Sequence, residues 1–123
     1  MRVQLIVCTL AIAMIFGTGA MAVNNNLLAP AAKTIKEVMK IAHKDGLMKK
    51  VQGGSASDEE KKQLLDLYID LLEGEPKKGD KAEWKMAAGA TVVSAAKVVL
   101  GREGALDELK KTTDCMACHS KFK

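Results

Sequence analysis

Two cysteines and a histidine stand together near the end of the chain, in the run Cys115-Met116-Ala117-Cys118-His119. This CxxCH spacing is the one at which a chain attaches a c-type haem. On a helix, positions three and four apart share a face, so both thiols reach the two vinyl groups of one porphyrin and form thioethers. His119, next to the second thiol, turns its imidazole under the ring as the proximal iron ligand. The expectation is one covalent haem c on Cys115 and Cys118.

Other chemistries of cysteine fit less well. A structural zinc site needs four ligands, and beyond this run and the N-terminal segment the chain offers only His43. Adjacent Cys118 and His119 do not easily ligate one tetrahedral ion. A thioredoxin-like redox pair belongs in a βαβ setting, of which the sequence gives no sign. A structural disulfide between i and i+3 closes too short a loop to stabilise much.

The N-terminus reads as a targeting segment. Arg2 is followed by an apolar run over Val3 to Phe16, then Gly17-Thr18-Gly19 and the small-residue site Ala20-Met21-Ala22. That is the pattern of a secretory signal peptide cleaved after Ala22. The run is short for a membrane span, which takes about 20 residues. Residues 1–22 are therefore expected to leave, Cys8 with them, and residues 23–123 to form one exported, periplasmic domain of charge +3. Membrane contact is expected only through the removed segment.

The residues that must position the motif are helical in type. Of 123 residues, 48% are apolar, 28% charged and only 3% aromatic. Lys, Glu, Leu, Ala and Met dominate after the first twenty-odd positions, which favours helix and excludes an all-β domain. Lys and Asp/Glu interleave along the chain, and a net charge of +4 is too mild to point to nucleic acid.

Three Gly- or Pro-containing breaks, at 52–56, 74–79 and 101–104, leave four amphipathic segments. The first spans about Ile35 to Lys50, opened by the capping-box pair Thr34 and Glu37, with a bend near Asp45-Gly46. The second spans about Asp58 to Glu73, opened by Ser57 and Glu60. Its stripe is Leu64, Leu67, Tyr68, Leu71 and Leu72, widened by Leu65 and Ile69 toward a second contact such as a homodimer. The third spans about Lys81 to Leu100, from Asp80 to Gly101, and packs Trp84 against the core or the haem. The fourth runs from about Ala105 into the C-terminus. Short loops between four such helices predict an all-α, antiparallel four-helix bundle. Its core looks short of volume, as if built around a cofactor held near the C-terminus.

Size, four helices and a C-terminal CxxCHxxF ending in a basic residue resemble the class II c-type cytochromes, the family of cytochrome c′ and its low-spin, methionine-ligated relatives. The matching residues are Cys115, Cys118, His119, Phe122 and Lys123, the last where the family often has Arg. The layout covers residues 23–123, and the motif only the last nine. The resemblance implies that Phe122 packs on the haem and that the first helix supplies the distal residue. Aligning Ile35 to Met39 with that helix puts Met39 there, although the Arg-Gln pair that the family often carries is missing. A thioether suits haem iron. His43, four residues on and on the same face, is the alternative ligand.

Two functions stay open. One is an electron carrier with His119 and Met39 as axial ligands. The other is a five-coordinate protein that binds nitric oxide or carbon monoxide. Lysine pairs at 49–50, 77–78 and 110–111, with Lys121 and Lys123, would steer an acidic redox partner protein. No acid–base pair, phosphate loop or nucleophile–base set appears, so catalysis in its own right is not expected.

Overall fold

The computed structural model describes residues 31–123. The expected signal peptide, 1–22, lies outside the described residues. Thr34 opens α1 (Ile35–Val38) with a reciprocal box. The Glu37 N–H donates to the Thr34 hydroxyl at 3.3 Å, and the Thr34 N–H donates to the Glu37 carboxylate at 2.8 Å. Two otherwise orphaned donors are satisfied at once.

The helix then widens into a π-helical segment, Met39–Lys44, closed by the Asp45 N–H on the Lys40 carbonyl at 2.8 Å. Such widened turns are rare and gather at functional sites. The first expected helix, Ile35 to Lys50, is not continuous. Gly46 turns left-handed at φ 89°, a conformation open to glycine, and a separate α2 (Leu47–Gln52) follows.

The second and third expected helices form as α3 (Asp58–Glu73) and α4 (Lys81–Val99). Ser57 and Glu60 make the full capping box on α3. Asp80 makes one half of it on α4, accepting from the Glu83 N–H at 2.9 Å. The fourth expected helix is in fact two, α5 (Ala105–Thr112) and α6 (Cys115–Phe122). The break has a local cause. Thr113 donates its hydroxyl back to the Leu109 carbonyl at 2.6 Å, and Asp114 takes an extended conformation that starts a new helix.

Among the described residues the architecture is all-helical, with helix packed on helix and no strand. α3 packs along α4 and α4 along α5, while α1 and α2 lean on α3 and α2 reaches α5. Val38, Ala42, Met48, Leu64, Leu67, Leu71, Ala88, Ala95 and Leu109 form the core. Leu65 is half-buried and Ile69 exposed, so the outer part of the α3 stripe stays outside that core. Two buried hydroxyls tie α5 to α4 just before the break. Thr91 donates to the Thr112 carbonyl at 3.0 Å, and Ser94 meets the Thr112 hydroxyl at 2.7 Å. They hold the corner from which α6 departs. No helix of the described residues is long and apolar enough to cross a membrane.

Candidate functional site

α6 owes its start to one side chain. The Asp114 carboxylate accepts the N–H groups of Met116 at 2.9 Å and Ala117 at 3.2 Å. This cap makes Cys115 the first helical residue, so Cys115, Cys118 and His119 lie on one helical face. Both thiols are free, Cys115 exposed and Cys118 half-buried. Burial, and after it Cys115, pushes the Cys118 thiol pKa up.

The far end of α6 is anchored by aromatic packing. Phe122 is buried and meets Trp84 edge-on, with ring centroids 5.3 Å apart and planes at 77°. Trp84 is itself held by its indole N–H on the Gly74 carbonyl at 3.0 Å. Gly79, at φ 93°, makes room, since a Cβ there would come within 2.7 Å of the Phe122 ring. Lys121 pairs with Glu83 at 3.7 Å.

Between these anchors α6 is undercut. Three adjoining cavities, about 480, 290 and 210 Å³, surround it, and Cys118 lines all three. The largest lies between α6 and α1 and is lined by Ile35, Met39, Pro76, Trp84, Cys118, His119 and Phe122. The smallest lies under the α5–α6 corner and is lined by Met39, His43, Tyr68, Leu71, Cys115, Cys118 and His119. The third runs along the small residues Ala87, Ala88 and Ala90 of α4.

Met39 and His119 thus share two cavities, whereas His43 lines only the smaller. Met39 and His43 both belong to the π-helical segment. Desolvation, and after it the charge of His119, holds the His43 pKa below its ordinary 6.5, which favours the neutral imidazole. Each of the seven residues expected at the site lines at least one of these three cavities, which share Cys118. Trp84 and Phe122 are at once cavity wall and the clamp on α6.

Two contributors were not legible in the sequence. Tyr68 is fully buried, its ring centroid 6.0 Å from that of His43, and its hydroxyl finds no hydrogen-bond partner among the described residues. Desolvation, and after it Cys115, raises its pKa well above the ordinary phenol value. A lone Tyr on a buried leucine stripe was the available signal. Lys36 is the other, exposed at the larger cavity together with Lys77 and Lys123. Of the expected lysine ring, Lys50 pairs instead with Glu60 and Lys110 with Asp107.

No family model, curated protein or solved structure matches this chain. The site must be read from its own chemistry. Among the described residues no set of three His, Cys, Asp or Glu side chains converges to hold a bare metal ion. The residues do suit a flat, mostly apolar, iron-bearing ring. They give two free thiols three apart, an imidazole beside them, a thioether across the cavity, and one buried hydroxyl without a partner.

Proposed function

We propose that this chain is an exported, periplasmic monohaem c-type cytochrome that carries single electrons and performs no catalysis of its own. Cys115 and Cys118 would hold the haem by thioethers, His119 would be the proximal iron ligand, and Met39 the distal one. When bound, the haem supplies one-electron exchange at its iron. The chain's part is to orient the ring through α6, exclude water with Trp84 and Phe122, and offer a soft donor from the π-helical segment.

The observation that carries this reading is that Met39, Cys118 and His119 line the same two cavities. In this reading α1, the π-helical segment and α2 act as one bent helix. With α3, α4 and the broken pair α5–α6 they make the antiparallel four-helix bundle of the class II c-type cytochromes. The CxxCH follows the packed helices instead of preceding them, which supports that family over the mitochondrial type.

One observation favours a second reading, a five-coordinate protein that binds nitric oxide or carbon monoxide. The unpartnered Tyr68 hydroxyl, buried beside His43, is a donor suited to a small polar ligand.

The test is the optical spectrum of the purified ferric and ferrous protein, before and after carbon monoxide. The protein is to be expressed with haem-attachment machinery. An electron carrier gives a low-spin spectrum with the methionine-to-iron charge-transfer band, unmoved by carbon monoxide, and Met39→Ala abolishes that band. A high-spin spectrum that shifts at once establishes the gas-binding reading. A low-spin spectrum without the band transfers the distal role to His43. No haem absorption overturns the proposal.

A further inference from the structure

Tyr68 is the one tyrosine of the chain, and it stands on the buried stripe of α3. Phenylalanine would supply the same packing without a polar atom. The hydroxyl is buried and has no hydrogen-bond partner among the described residues, a costly state for a polar group. Burial, and after it Cys115, raises its pKa, so the phenol keeps its proton and remains a donor. What it lacks is an acceptor.

Tyr68 lines the cavity of about 210 Å³ under the α5–α6 corner. Most side-chain acceptors of that cavity are held elsewhere. The Thr91 and Thr112 hydroxyls belong to the bonds that tie α4 to α5, and the Thr113 hydroxyl is turned back to the Leu109 carbonyl. The Asp114 carboxylate caps α6. With both thiols and His119 committed to the haem, Met39 and His43 remain. His43 lies ring beside ring with Tyr68, at 6.0 Å and 40°, without taking its hydroxyl. Met39 is half-buried, unbranched and turns about three side-chain bonds, so it can adjust to the hydroxyl. Its thioether only accepts, and a sulfur that gives one lone pair to iron keeps another.

We propose that Tyr68 is a positioning residue acting through Met39, its hydroxyl donating to the sulfur lone pair that the iron does not take. This rests on the electron-carrier reading. The bond would select which lone pair faces the iron, and it draws electron density from the sulfur. Ferric iron depends on that density more than ferrous iron does, so the ferrous state gains and the reduction potential rises. Hydrogen bonding around an axial ligand is one of the protein's levers on potential, and a cavity closed to water strengthens it.

The test uses the haem-loaded full chain and reads the reduction potential and the position of the methionine-to-iron charge-transfer band. Tyr68→Phe should move the band and lower the potential, shifting the ferric-to-ferrous ratio at a fixed applied potential a few-fold toward ferric. Fluorotyrosine supplied in place of tyrosine labels this position alone, because the chain has no other tyrosine. Fluorine makes the phenol a stronger donor, so the ratio should shift the opposite way, toward ferrous. A residue that only packs gives no such reversal of sign. Both shifts should persist in a His43→Leu background, which removes the competing acceptor. A wild type that shows the band, with band and potential unmoved in Tyr68→Phe, overturns this inference and leaves the electron carrier standing. Shifts of one sign in both replacements also overturn it, and so do shifts that vanish in His43→Leu. A wild type without the band overturns the electron-carrier reading, and this inference falls with it.

Discussion

The rings of Tyr68 and His43 lie 6.0 Å apart at 40°, at the wall of a cavity that also holds Met39 and His119. The Tyr68 hydroxyl is buried there without a hydrogen-bond partner among the described residues. A buried unpaired hydroxyl costs about 1–3 kcal/mol, while a made hydrogen bond contributes about 1 kcal/mol. Tyr68→Phe should therefore change sign with the cavity's contents. In the chain prepared without cofactor, the substitution should raise the unfolding free energy. In the haem-loaded protein, a filled cavity that offers the hydroxyl an acceptor would make the substitution lower it by about 1 kcal/mol. Denaturant melts of both forms decide this. A hydroxyl with no acceptor in the loaded cavity would leave the two effects equal in sign.

His43 gives the cofactor-free chain a pH dependence. Its pKa is depressed in the folded state by desolvation and by His119, below the ordinary 6.5. Between the folded value and 6.5 the unfolded chain binds the extra proton, so stability rises with pH through that window and is lost as pH falls through it. His43→Gln should flatten this slope on the acid side of 6.5 and leave stability above neutrality nearly unchanged. Unfolding midpoints measured across that range check the sign. A slope that survives the substitution would assign the proton uptake to another group.

The helix starts were legible because each is written in local chemistry. Thr34 with Glu37, and Ser57 with Glu60, close as reciprocal caps. Gly46 marks the bend, because its left-handed φ of 89° suits glycine. Cys115, Cys118 and His119 were legible as a unit, since their spacing alone puts them on one face. Other features were not local. Asp114 reads as one more polar residue until its carboxylate is seen to restart the helix. The π-helical widening at Met39–Lys44 leaves the apolar pattern of an ordinary helix intact. Tyr68 reads as one more core residue until its hydroxyl is seen to have no partner.

Trp84 links three parts of the molecule, through its bond to the Gly74 carbonyl, its edge contact with Phe122, and its place on two cavities. Trp84→Phe keeps much of the packing and loses the hydrogen bond, so it should cost about 1 kcal/mol. Trp84→Ala should cost about 3–5 kcal/mol, as expected for a large core aromatic. The wider effect should appear at α6. Phe122 loses its edge partner, so amide exchange should accelerate at the end of α6 in Trp84→Ala and much less in α3. Uniform acceleration through all helices would mean that Trp84 supports the core alone, and that α6 is held by something else.

The rim of the larger cavity carries Lys36, Lys77 and Lys123. Among the described residues its one acidic side chain, Glu75, is engaged with Lys81 at 3.1 Å. A positive rim around the exposed edge of a redox site attracts anions and repels cations, with a range set by ionic strength. The haem-loaded protein should therefore exchange electrons faster with an anionic metal complex than with a cationic one of similar driving force. Reversing all three lysines to Glu should lower that rate ratio by about tenfold or more at low salt, and each single reversal by a few-fold. Lys50 makes a control, since it is tied to Glu60 and does not line this cavity. Lys50→Glu should leave the ratio nearly unchanged. Stopped-flow rates across a series of salt concentrations test both claims. A ratio that ignores salt, or that responds equally to Lys50→Glu, would show that net charge acts and the rim does not.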